Sequence, residues 1–236
     1  MGILYIVSTP IGNLQDIGIR AIKTLIETEI IACEDTRKTG ILLKRAKEYY
    51  AKIFLRENNF KQNRLVSYYE QNEGKRIPEI INLLKNGQNV VLVSDAGTPA
   101  ISDPGFKLVR ECAKESIKIE SIPGPSSVIS SLVVSGLPTD KFLFAGYPPK
   151  KPGNREKFLK KLKRVKDDFK QTLIIFEAPH RLVKTLSEIE DVFGDIDAVI
   201  TRELTKVFEE INRDKLSNLI AYYSSKTPKG ELVVLL

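Results

Sequence analysis

The sequence has few of the residues from which metal centres and disulfide frameworks are built. Its 236 residues include two cysteines and one histidine, and these are not closely spaced, so the sequence predicts no metal site. Cys33 and Cys112 each lie inside an apolar segment, which is typical of reduced cysteines in a core. Neither zinc nor a disulfide is therefore expected to stabilise the fold.

Long apolar runs are also missing. No run approaches the ~20 residues that a membrane-spanning helix needs. The N-terminal sequence MGILYIVSTPIGN has no basic flank before its apolar stretch, unlike a signal peptide. Hydrophobic residues still make up 42% of the chain, enough for a packed core. We therefore expect a globular cytoplasmic protein without a membrane partner.

The usual phosphate-binding loops do not occur. Neither GxxxxGK[ST] nor a GxGxxG after a strand is present, which argues against ATP, GTP and dinucleotide cofactors. The formal net charge of +7 favours an anionic partner. A solvated, lysine-rich surface explains the same charge, so composition alone does not identify nucleic acid.

Strand and helix patterns alternate through the first half of the chain. Val90–Val93 is a continuous apolar run, typical of a strand buried on both faces. Asp16 is expected to cap one helix and Pro78 to lie in the first turn of another, after a polar and basic stretch. Further predicted elements are strands Leu4–Ser8, Ile30–Cys33 and Ile117–Ile122 and helix Phe106–Glu115. This alternation predicts a mostly parallel sheet covered by helices.

The second half is less regular. Its predicted strands are Phe142–Ala145, Thr172–Phe176, Ala198–Thr201, Lys206–Glu210 and Glu231–Leu235, and its predicted helices are Ser126–Ser135, Arg155–Phe169, one from about Pro179 and one near Asp214–Ser224. Several strands follow one another without a helix, which predicts a mixed sheet. A Pro-Gly-Pro sequence at 123–125 interrupts the pattern. We therefore predict two α/β domains, residues 1–121 and 122–236.

A twelve-residue segment after the strand at Val90–Val93 is the strongest candidate ligand loop. Ser94–Gly105, SDAGTPAISDPG, is longer than the ordinary βα turn of about 2–6 residues. It lies where open α/β sheets bind ligands, at the carboxyl end of a strand. An ordinary turn is the alternative. Two more loops rich in Pro, Gly and Ser follow strands, Ser8–Asn13 and Ile122–Ser127, and backbone amides at the helix start of the latter suit a carboxylate.

The segments STPIGNL, EDTRKT, SYYEQNE, SDAGTPAISDPG, IPGPSS, FEAPHR, RELTK and GELVV occur in the order seen in the tetrapyrrole methylase superfamily. Over essentially the whole chain they resemble its ribosomal RNA small subunit methyltransferase I branch. This resemblance implies two α/β domains with S-adenosylmethionine in the cleft between them, and commonly a homodimer. The implied reaction methylates the ribose 2′-oxygen of a cytidine in the decoding region of 16S ribosomal RNA. The expected partner is this RNA within the small ribosomal subunit, with free RNA as the alternative substrate.

The resemblance also implies which residues contact the cofactor. The three loops Ser8–Asn13, Ser94–Gly105 and Ile122–Ser127 would contribute residues from the first domain and the domain boundary: Pro10, Gly12, Asp95, Gly97, Thr98, Ile101, Ser126 and Ser127. The second domain would contribute Phe176, Ala178, Leu204, Pro228 and Lys229.

Three residues are candidates for catalysis. The ribose hydroxyl must lose a proton, and His180 is the single histidine, a side chain type that titrates near neutral pH. It could instead begin a helix with Arg181 and contact RNA or cofactor. Glu203 and Lys206 are predicted active-site residues, with a strand-end salt bridge as the alternative. Other polar candidates are Glu34, Asp35, Arg37, Glu177 and Arg202.

The sequence departs from the family pattern in three places. Tyr69 and Gln71 stand where the branch is expected to have histidines, so no base is assigned there. The segment Tyr49–Asn63 is longer than expected. The sequence ends directly after GELVV, so no RNA contact from a C-terminal extension is expected.

The strongest candidate for RNA contact is Lys150–Lys170, with ten Lys or Arg against three acids. A second is Arg37–Lys38 with Lys44–Lys52, and Tyr68 and Tyr69 could stack on bases or simply pack. Two other functions stay open: methylation of a tetrapyrrole carbon, and RNA binding by a chain without activity.

Overall fold

Five strands separated by helices build the first half of the chain. The computed structural model describes residues 1–55, 60, 62–226 and 228–236. These form two units, Met1–Ser126 and Ser127–Leu236, and each is described by itself. In the described residues no helix has the length and apolar character to cross a membrane.

The first unit alternates strictly between strand and helix. Its elements are β1 Ile3–Val7, α1 Ile19–Glu27, β2 Ile30–Cys33, α2 Thr36–Phe54, β3 Arg64–Ser67, α3 Glu73–Lys85, β4 Val90–Val93, α4 Phe106–Lys114 and β5 Lys118–Ile122. The strands form one sheet in the order β3-β2-β4-β1-β5, and every pairing is parallel. The predicted parallel, helix-covered sheet is confirmed.

Both faces of this sheet are covered by helices. Every residue of β2 and β4 is buried, as continuous apolar strands between two layers require. Residues of α1 and α2, such as Leu25 and Leu43, pack with Ile31 and Val91 on one face. Residues of α3 and α4, such as Leu84 and Leu108, pack on the other.

The strand order creates a switch point between β1 and β4. These neighbours are both parallel strands, but the chain leaves β1 toward β2 and leaves β4 toward β5, on opposite sides. The loops that follow them therefore diverge and open a crevice at the carboxyl edge of the sheet. The loop 8–13 and the loop 94–105 lie at this crevice.

The second unit is a mixed sheet between unequal helix layers. Its elements are α5 Ser127–Ser135, β6 Phe142–Phe144, α6 Pro152–Phe169, β7 Thr172–Glu177, α7 Leu182–Phe193, β8 Asp197–Arg202, β9 Glu210–Lys215, α8 Leu216–Ser225 and β10 Leu232–Leu235. The strand order is β6-β7-β10-β8-β9, and the pairing of β6 with β7 is parallel while the other three pairings are antiparallel. Helices α6, α7 and α8 pack on one face and α5 on the other, so the predicted mixed sheet is also confirmed.

Helix caps and starts differ from the predictions in the first unit. Asp16 does not cap α1, because it ends a single 3₁₀ turn, Leu14–Asp16, whose cap is the side chain of Asn13. Helix α1 starts after Gly18. Pro78 is the sixth residue of α3 and not in its first turn, since the helix already begins at Glu73. The polar stretch before it contains α2 and β3, and residues 56–59 and 61 of the long segment Tyr49–Asn63 lie outside the described residues.

Strand β9 lies further along the chain than predicted. The sequence favours a strand at Lys206–Glu210, whereas the strand is Glu210–Lys215, in register with all of β8. The intervening residues form a turn with left-handed backbone at Glu203 and Thr205. Apolar periodicity carries no signal for such a turn.

The units divide five residues later than the predicted boundary after residue 121. The loop that follows β5 packs against the first unit. A Cβ on Gly124 would lie 3.0 Å from Cβ of Ser8, and the carbonyl oxygen of Pro125 accepts a hydrogen bond from Thr98. These contacts fasten residues 123–126 to the first sheet.

Candidate active site

The loop 94–105 is held in an unusual backbone conformation. Four of its residues have left-handed φ angles: 80° at Gly97, 69° at Ala100, 59° at Ser102 and 139° at Gly105. Left-handed backbone costs about 1–2 kcal/mol for a residue with a Cβ atom. At Gly105 a side chain is also excluded by space, since a Cβ would lie 2.8 Å from Leu92 Cδ2. Strain of this kind persists where the surrounding structure enforces it and is frequent at functional sites.

Three loops at the switch point are joined by direct hydrogen bonds. Thr9 and Gly97 exchange backbone bonds of 2.9 and 3.1 Å. The Thr98 hydroxyl donates to the Pro125 carbonyl oxygen at 3.2 Å, so the Ser8 hydroxyl, 3.0 Å away, donates to Thr98. The loops after β1, β4 and β5 therefore form one connected body.

The carboxylate of Asp95 links the long loop to the start of α2. It accepts a hydrogen bond from the backbone N–H of Asp35 at 3.1 Å and one from Lys38 Nζ at 2.6 Å. Asp35 itself is the N-cap of α2 and accepts bonds from the backbone and guanidinium of Arg37, which lower the pKa of Asp35 to about 2. Asp95 thus positions its neighbours within the first unit.

The pKa of a second carboxyl group near these residues is raised, whereas that of Asp35 is lowered. Burial raises the pKa of Glu34, and the negative charges of Asp95 and Asp103 raise it further. Glu34 directly follows β2, at the same edge of the sheet as the long loop. A carboxyl group that holds its proton to higher pH can donate a hydrogen bond.

The SYYEQNE segment has a structural role. Tyr68 is 1% exposed, and its hydroxyl donates to Glu73 Oε1 at 2.8 Å. Glu73, 4% exposed, also accepts from the Gly105 backbone at 3.2 Å and pairs with Lys107 at 2.8 Å. Of the two alternatives given for Tyr68, stacking on RNA bases or simple packing, the structure shows packing, because the ring is buried. Tyr69 is exposed, and its stacking stays a prediction.

The remaining cofactor candidates of the first unit differ in exposure. Pro10 is buried and Gly12 exposed. Ile101 is 48% exposed, so it offers an apolar side chain at the surface of the long loop. Ser126 ends the first unit and Ser127 is the first residue of α5, where backbone N–H groups have no partner within the helix.

A buried carboxylate also organises the FEAPHR segment of the second unit. Glu177 accepts hydrogen bonds from the Ala178 backbone at 2.7 Å and from the Thr185 hydroxyl at 2.6 Å. Arg181 lies 3.3 Å from the same carboxylate and donates to the carbonyl oxygen of Pro148 at 2.7 Å. His180 is exposed on the 3₁₀ turn between them.

Glu203 and Lys206 meet at the turn between β8 and β9. Lys206 Nζ lies 2.9 Å from Glu203 Oε1 and 3.0 Å from Glu231 Oε2, and Glu203 also accepts from the Glu231 backbone at 2.9 Å. Gly230 makes room for this cluster, because a Cβ there would lie 2.3 Å from Glu203 Oε1. We name the cluster Glu203, Lys206 and Glu231 the carboxylate–lysine clamp.

The clamp stabilises the charged forms of Glu203 and Lys206. Burial alone raises the pKa of Glu203, but the bonds from Lys206 and the Glu231 backbone outweigh it, so the net pKa is lowered. Burial alone lowers the pKa of Lys206, and its two carboxylate partners reverse this, so the net pKa is raised. At neutral pH neither side chain is a free base, and the predicted alternative of a strand-end salt bridge is present in the structure.

The structure gathers the predicted residues at two sheet edges. In the first unit Asp95, Gly97 and Thr98 lie at the switch point. In the second unit β7 and β8 are parallel because each pairs antiparallel with β10. Their carboxyl ends and the start of β10 therefore share one edge, which carries Phe176, Ala178, His180, Glu203, Leu204, Lys206, Pro228 and Lys229.

Sequence reasoning missed two positioning residues. Lys38 and Glu73 bond to the long loop, yet neither was singled out for that role. No periodic pattern identifies them. The only available signal was their place in EDTRKT and SYYEQNE, two of the unusual segments. Cys33 and Cys112 are buried and free, as predicted, and no group of three or more His, Cys, Asp or Glu suited to a metal occurs among the described residues.

Solved structures with this architecture include methyltransferases. Uroporphyrin III C-methyl transferase from Thermus thermophilus has a TM-score of 0.65 at 17% identity, covering 99% of this chain and 97% of that one. Diphthine synthase has a TM-score of 0.66 at 18% identity, covering 100% and 90%. The Thermus enzyme is also known in complex with S-adenyl homocysteine. At these identities the likeness establishes the fold alone.

Sequence comparison is more specific. The family model described as Tetrapyrrole (Corrin/Porphyrin) Methylases matches residues 3–220. A protein of Thermotoga maritima named Ribosomal RNA small subunit methyltransferase I is 45% identical over 237 residues, covering 100% of this chain and 98% of that protein. One of the same name from Mesorhizobium japonicum is 46% identical over 233 residues, covering 98% and 74%. The chain therefore belongs to the tetrapyrrole methylase family, within the branch of ribosomal RNA small subunit methyltransferase I.

Proposed function

We propose that this chain transfers a methyl group from S-adenosylmethionine to 16S ribosomal RNA, at the ribose 2′-oxygen of a cytidine in the decoding region. The observation that carries the proposal is the full-length likeness to relatives named ribosomal RNA small subunit methyltransferase I. The connected loops at the switch point supply the kind of site that such a reaction needs. A tetrapyrrole substrate is supported only at the level of the fold and of the family as a whole.

The loops of the first unit fit a cofactor held by backbone groups. The side chains of Asp95 and Thr98 are occupied by partners within the chain, so their part is to fix the loop. The backbone of residues 97–101, which has left-handed angles at Gly97 and Ala100, and the exposed Ile101 would hold the adenosyl group. Ser126 and Ser127 would present N–H groups to its carboxylate.

Residues of the second unit complete the proposed cofactor contacts. We assign Phe176, Ala178, Leu204, Pro228 and Lys229 to this role, and Pro10 and Gly12 in the first unit. When bound, S-adenosylmethionine supplies a methyl group on a positively charged sulfur. These residues would hold the cofactor so that an acceptor oxygen could approach its methyl group in line, at the separation of about 3–3.5 Å that a near-attack geometry requires.

The acceptor hydroxyl must also lose its proton. Glu203 and Lys206 neutralise each other in the clamp, so we assign them to shaping the turn beside the acceptor. His180 is exposed at the same edge of the second sheet and is the residue we assign as proton acceptor. General-base catalysis of this kind contributes about 10²–10⁴-fold in rate.

We further propose that the substrate is the small ribosomal subunit and that the enzyme works in the cytoplasm as a homodimer.

Helix α6 carries the candidate surface for RNA. Its cations Lys157, Lys161 and Arg164 recur at helical spacing on an exposed face. None of the three has an ion-pair partner among the described residues, whereas Lys160 and Lys163 do. Unpaired cations along one helix face suit contact with RNA phosphates.

The test is transfer of radiolabelled methyl to small subunits from cells lacking this gene, followed by nuclease digestion to locate the label. Label on a cytidine ribose is expected. An Asp95→Ala variant should lose cofactor binding, because Lys38 and the start of α2 lose their partner. A His180→Ala variant should bind cofactor normally and lose about 10²–10⁴-fold in single-turnover rate.

Other outcomes separate the components of the proposal. Cofactor binding without label on RNA would contradict the RNA substrate and direct attention to tetrapyrroles. Failure to bind cofactor with intact RNA binding would indicate an RNA-binding chain without activity. A His180→Ala enzyme with full rate would remove His180 as the base.

A further inference from the structure

Two exposed aromatic side chains stand at one edge of the second sheet. The loop 145–151 follows the carboxyl end of β6 and carries Tyr147, 57% exposed. The turn 203–209 follows the carboxyl end of β8 and carries Phe208, 71% exposed. Strands β6, β7 and β8 all run in the same direction, so both residues lie at the edge that also carries His180.

The ring of Tyr147 is fixed from behind. It packs edge-on against Phe176 with ring centroids 5.4 Å apart, and Phe176 packs in turn on Phe144 at 4.7 Å. The loop beneath is fastened by Arg181, which donates to the Pro148 carbonyl oxygen at 2.7 Å. The ring is therefore held on a rigid support, and more than half of the residue is accessible to solvent.

Phe208 is presented by a turn that cannot easily fold back. Val207 beside it is 94% exposed. The preceding residues have left-handed backbone at Glu203 and Thr205, and the carboxylate–lysine clamp holds Lys206. Val207 and Phe208 are adjacent, so they form a contiguous exposed apolar surface, and such surfaces mark interaction sites when they are large enough.

Charges at this edge favour a phosphate-bearing partner. Its acidic side chains already have partners within the chain: Glu177, Glu203, Glu209, Glu210 and Glu231. Lys150, Lys151 and Lys229 are exposed, and within the described part of the chain they form no ion pair. Together with Arg181, Arg202 and Lys206, which pair with these carboxylates, six cations stand against the five acids named here, so the net charge of this edge is positive.

The geometry points to a single-stranded segment of RNA lying along this edge, with unpaired bases stacked on Tyr147 and Phe208 and phosphates near Lys150 and Lys151. Exposed rings interleaved with cations are how proteins hold unpaired nucleotides. Four strand spacings of about 4.8 Å separate β6 from β9, so the two rings stand toward opposite ends of an edge about 19 Å wide. This inference rests on the proposed function and names residues that would position its substrate.

The test compares Tyr147→Leu and Phe208→Leu with a matched control, Phe142→Leu. Phe142 is 41% exposed but begins β6, so it lies at the opposite edge of the same sheet. KM and kcat for small subunits are measured at saturating S-adenosylmethionine, together with the Kd of the cofactor. Each test variant should raise KM about tenfold with a smaller change in kcat and an unchanged cofactor Kd, and the control should match the unsubstituted chain.

Replacement by another aromatic residue separates stacking from folding. Phe208→Trp and Tyr147→Phe should restore KM to within about twofold, because every flat ring stacks on a base. An unchanged KM in both Leu variants, with active unsubstituted enzyme, would overturn the inference and leave the proposed function intact. A Tyr147→Leu effect confined to the cofactor Kd would overturn the role of Tyr147. An unsubstituted chain that neither methylates nor binds RNA would overturn both proposals.

Discussion

At the scale of single residues, left-handed backbone separates the candidate site from the rest of the molecule. In the described part of the chain seven residues other than glycine have positive φ angles: Leu55, Ala100, Ser102, Ser116, Lys170, Glu203 and Thr205. Leu55, Ser116 and Lys170 directly follow or closely follow helix ends, where this conformation is common. The other four lie in the two loops to which sequence analysis assigned chemistry.

Glu73 is the residue whose charge should matter most for the long loop. Replacing it with Gln keeps an acceptor for Tyr68 and Gly105 but removes the ion pair with Lys107. We expect Glu73→Gln to lower the free energy of unfolding by about 1–3 kcal/mol at pH 7, as measured by urea denaturation. Glu79→Gln, in a more exposed pair, is the control and should cost less than about 1 kcal/mol.

The pH dependence of this difference follows from the pKa of Glu73. Burial alone raises it, but Lys107, Tyr68 and the Gly105 backbone outweigh burial and lower the net pKa. The stabilisation is therefore present above the unfolded pKa of about 4.3 and is lost as pH falls through the lower folded value. A Glu73→Gln difference that stays the same from pH 7 to pH 3 would show that its charge is not what stabilises the loop.

At the scale of elements, the sequence predicts buried strands well and amphipathic surface elements less well. β2 and β4 match their predicted bounds, because four successive apolar residues are stable when both faces of a strand are buried. Helix α2 was missed because its 19 residues include many Lys and Arg and bury only Thr39, Leu43, Ala46 and Tyr50. Because the buried residues of α2 form only one narrow stripe along the helix, its mostly polar composition gave no clear helical pattern.

Sequence analysis could predict site residues only where a loop directly follows a recognisable strand. The position of Ser94–Gly105 at a strand end located the first-unit site without any knowledge of side-chain contacts. The bond between Asp95 and Lys38 spans 57 positions, and the bond between Glu203 and the Glu231 backbone spans 28. Such pairs depend on tertiary structure, so a single sequence does not indicate them.

Helix α6 allows a test of RNA contact by one element. We expect Gln at Lys157, Lys161 and Arg164 to weaken RNA binding and to flatten its salt dependence by up to about two units of slope, since each phosphate contact to a single strand contributes about 0.7. The Kd for RNA is measured between about 50 and 200 mM salt. Over this range the affinity of a protein with many phosphate contacts falls by about 10³–10⁵-fold, so a change in slope is easily measured.

The control on the same helix removes a charge pair and leaves net charge unchanged. Glu156→Gln with Lys160→Gln deletes one i,i+4 salt bridge and should leave the slope as it is. If both variants changed the slope equally, helix stability rather than phosphate contact would explain the first result.

At the scale of the whole molecule, each unit has its own sheet and its own apolar clusters. A ligand that binds only the folded chain stabilises it by mass action, wherever its contacts lie. S-adenosylmethionine at about 100 times its Kd should therefore add about 2.7 kcal/mol and raise Tm by roughly 5–10 °C. Differential scanning fluorimetry measures this shift.

The same measurement has a built-in comparison. Asp95→Ala should show little or no shift, while Glu79→Gln should shift like the unsubstituted chain. An equal shift in the Asp95→Ala protein would mean that the loop holds its shape without the bond to Lys38, and the role given to Asp95 would have to be abandoned.

The bonds that join Ser8, Thr98 and Pro125 limit how such a site can be transplanted. A chimera that receives only residues 94–105 from a relative would pair a foreign threonine with a resident serine and a resident carbonyl group. The smallest portable module is therefore all three loops, exchanged together. Protein engineers who vary specificity here should recombine residues 8–13, 94–105 and 123–126 as one cassette, and homologous enzymes are expected to tolerate insertions outside this set sooner than within it.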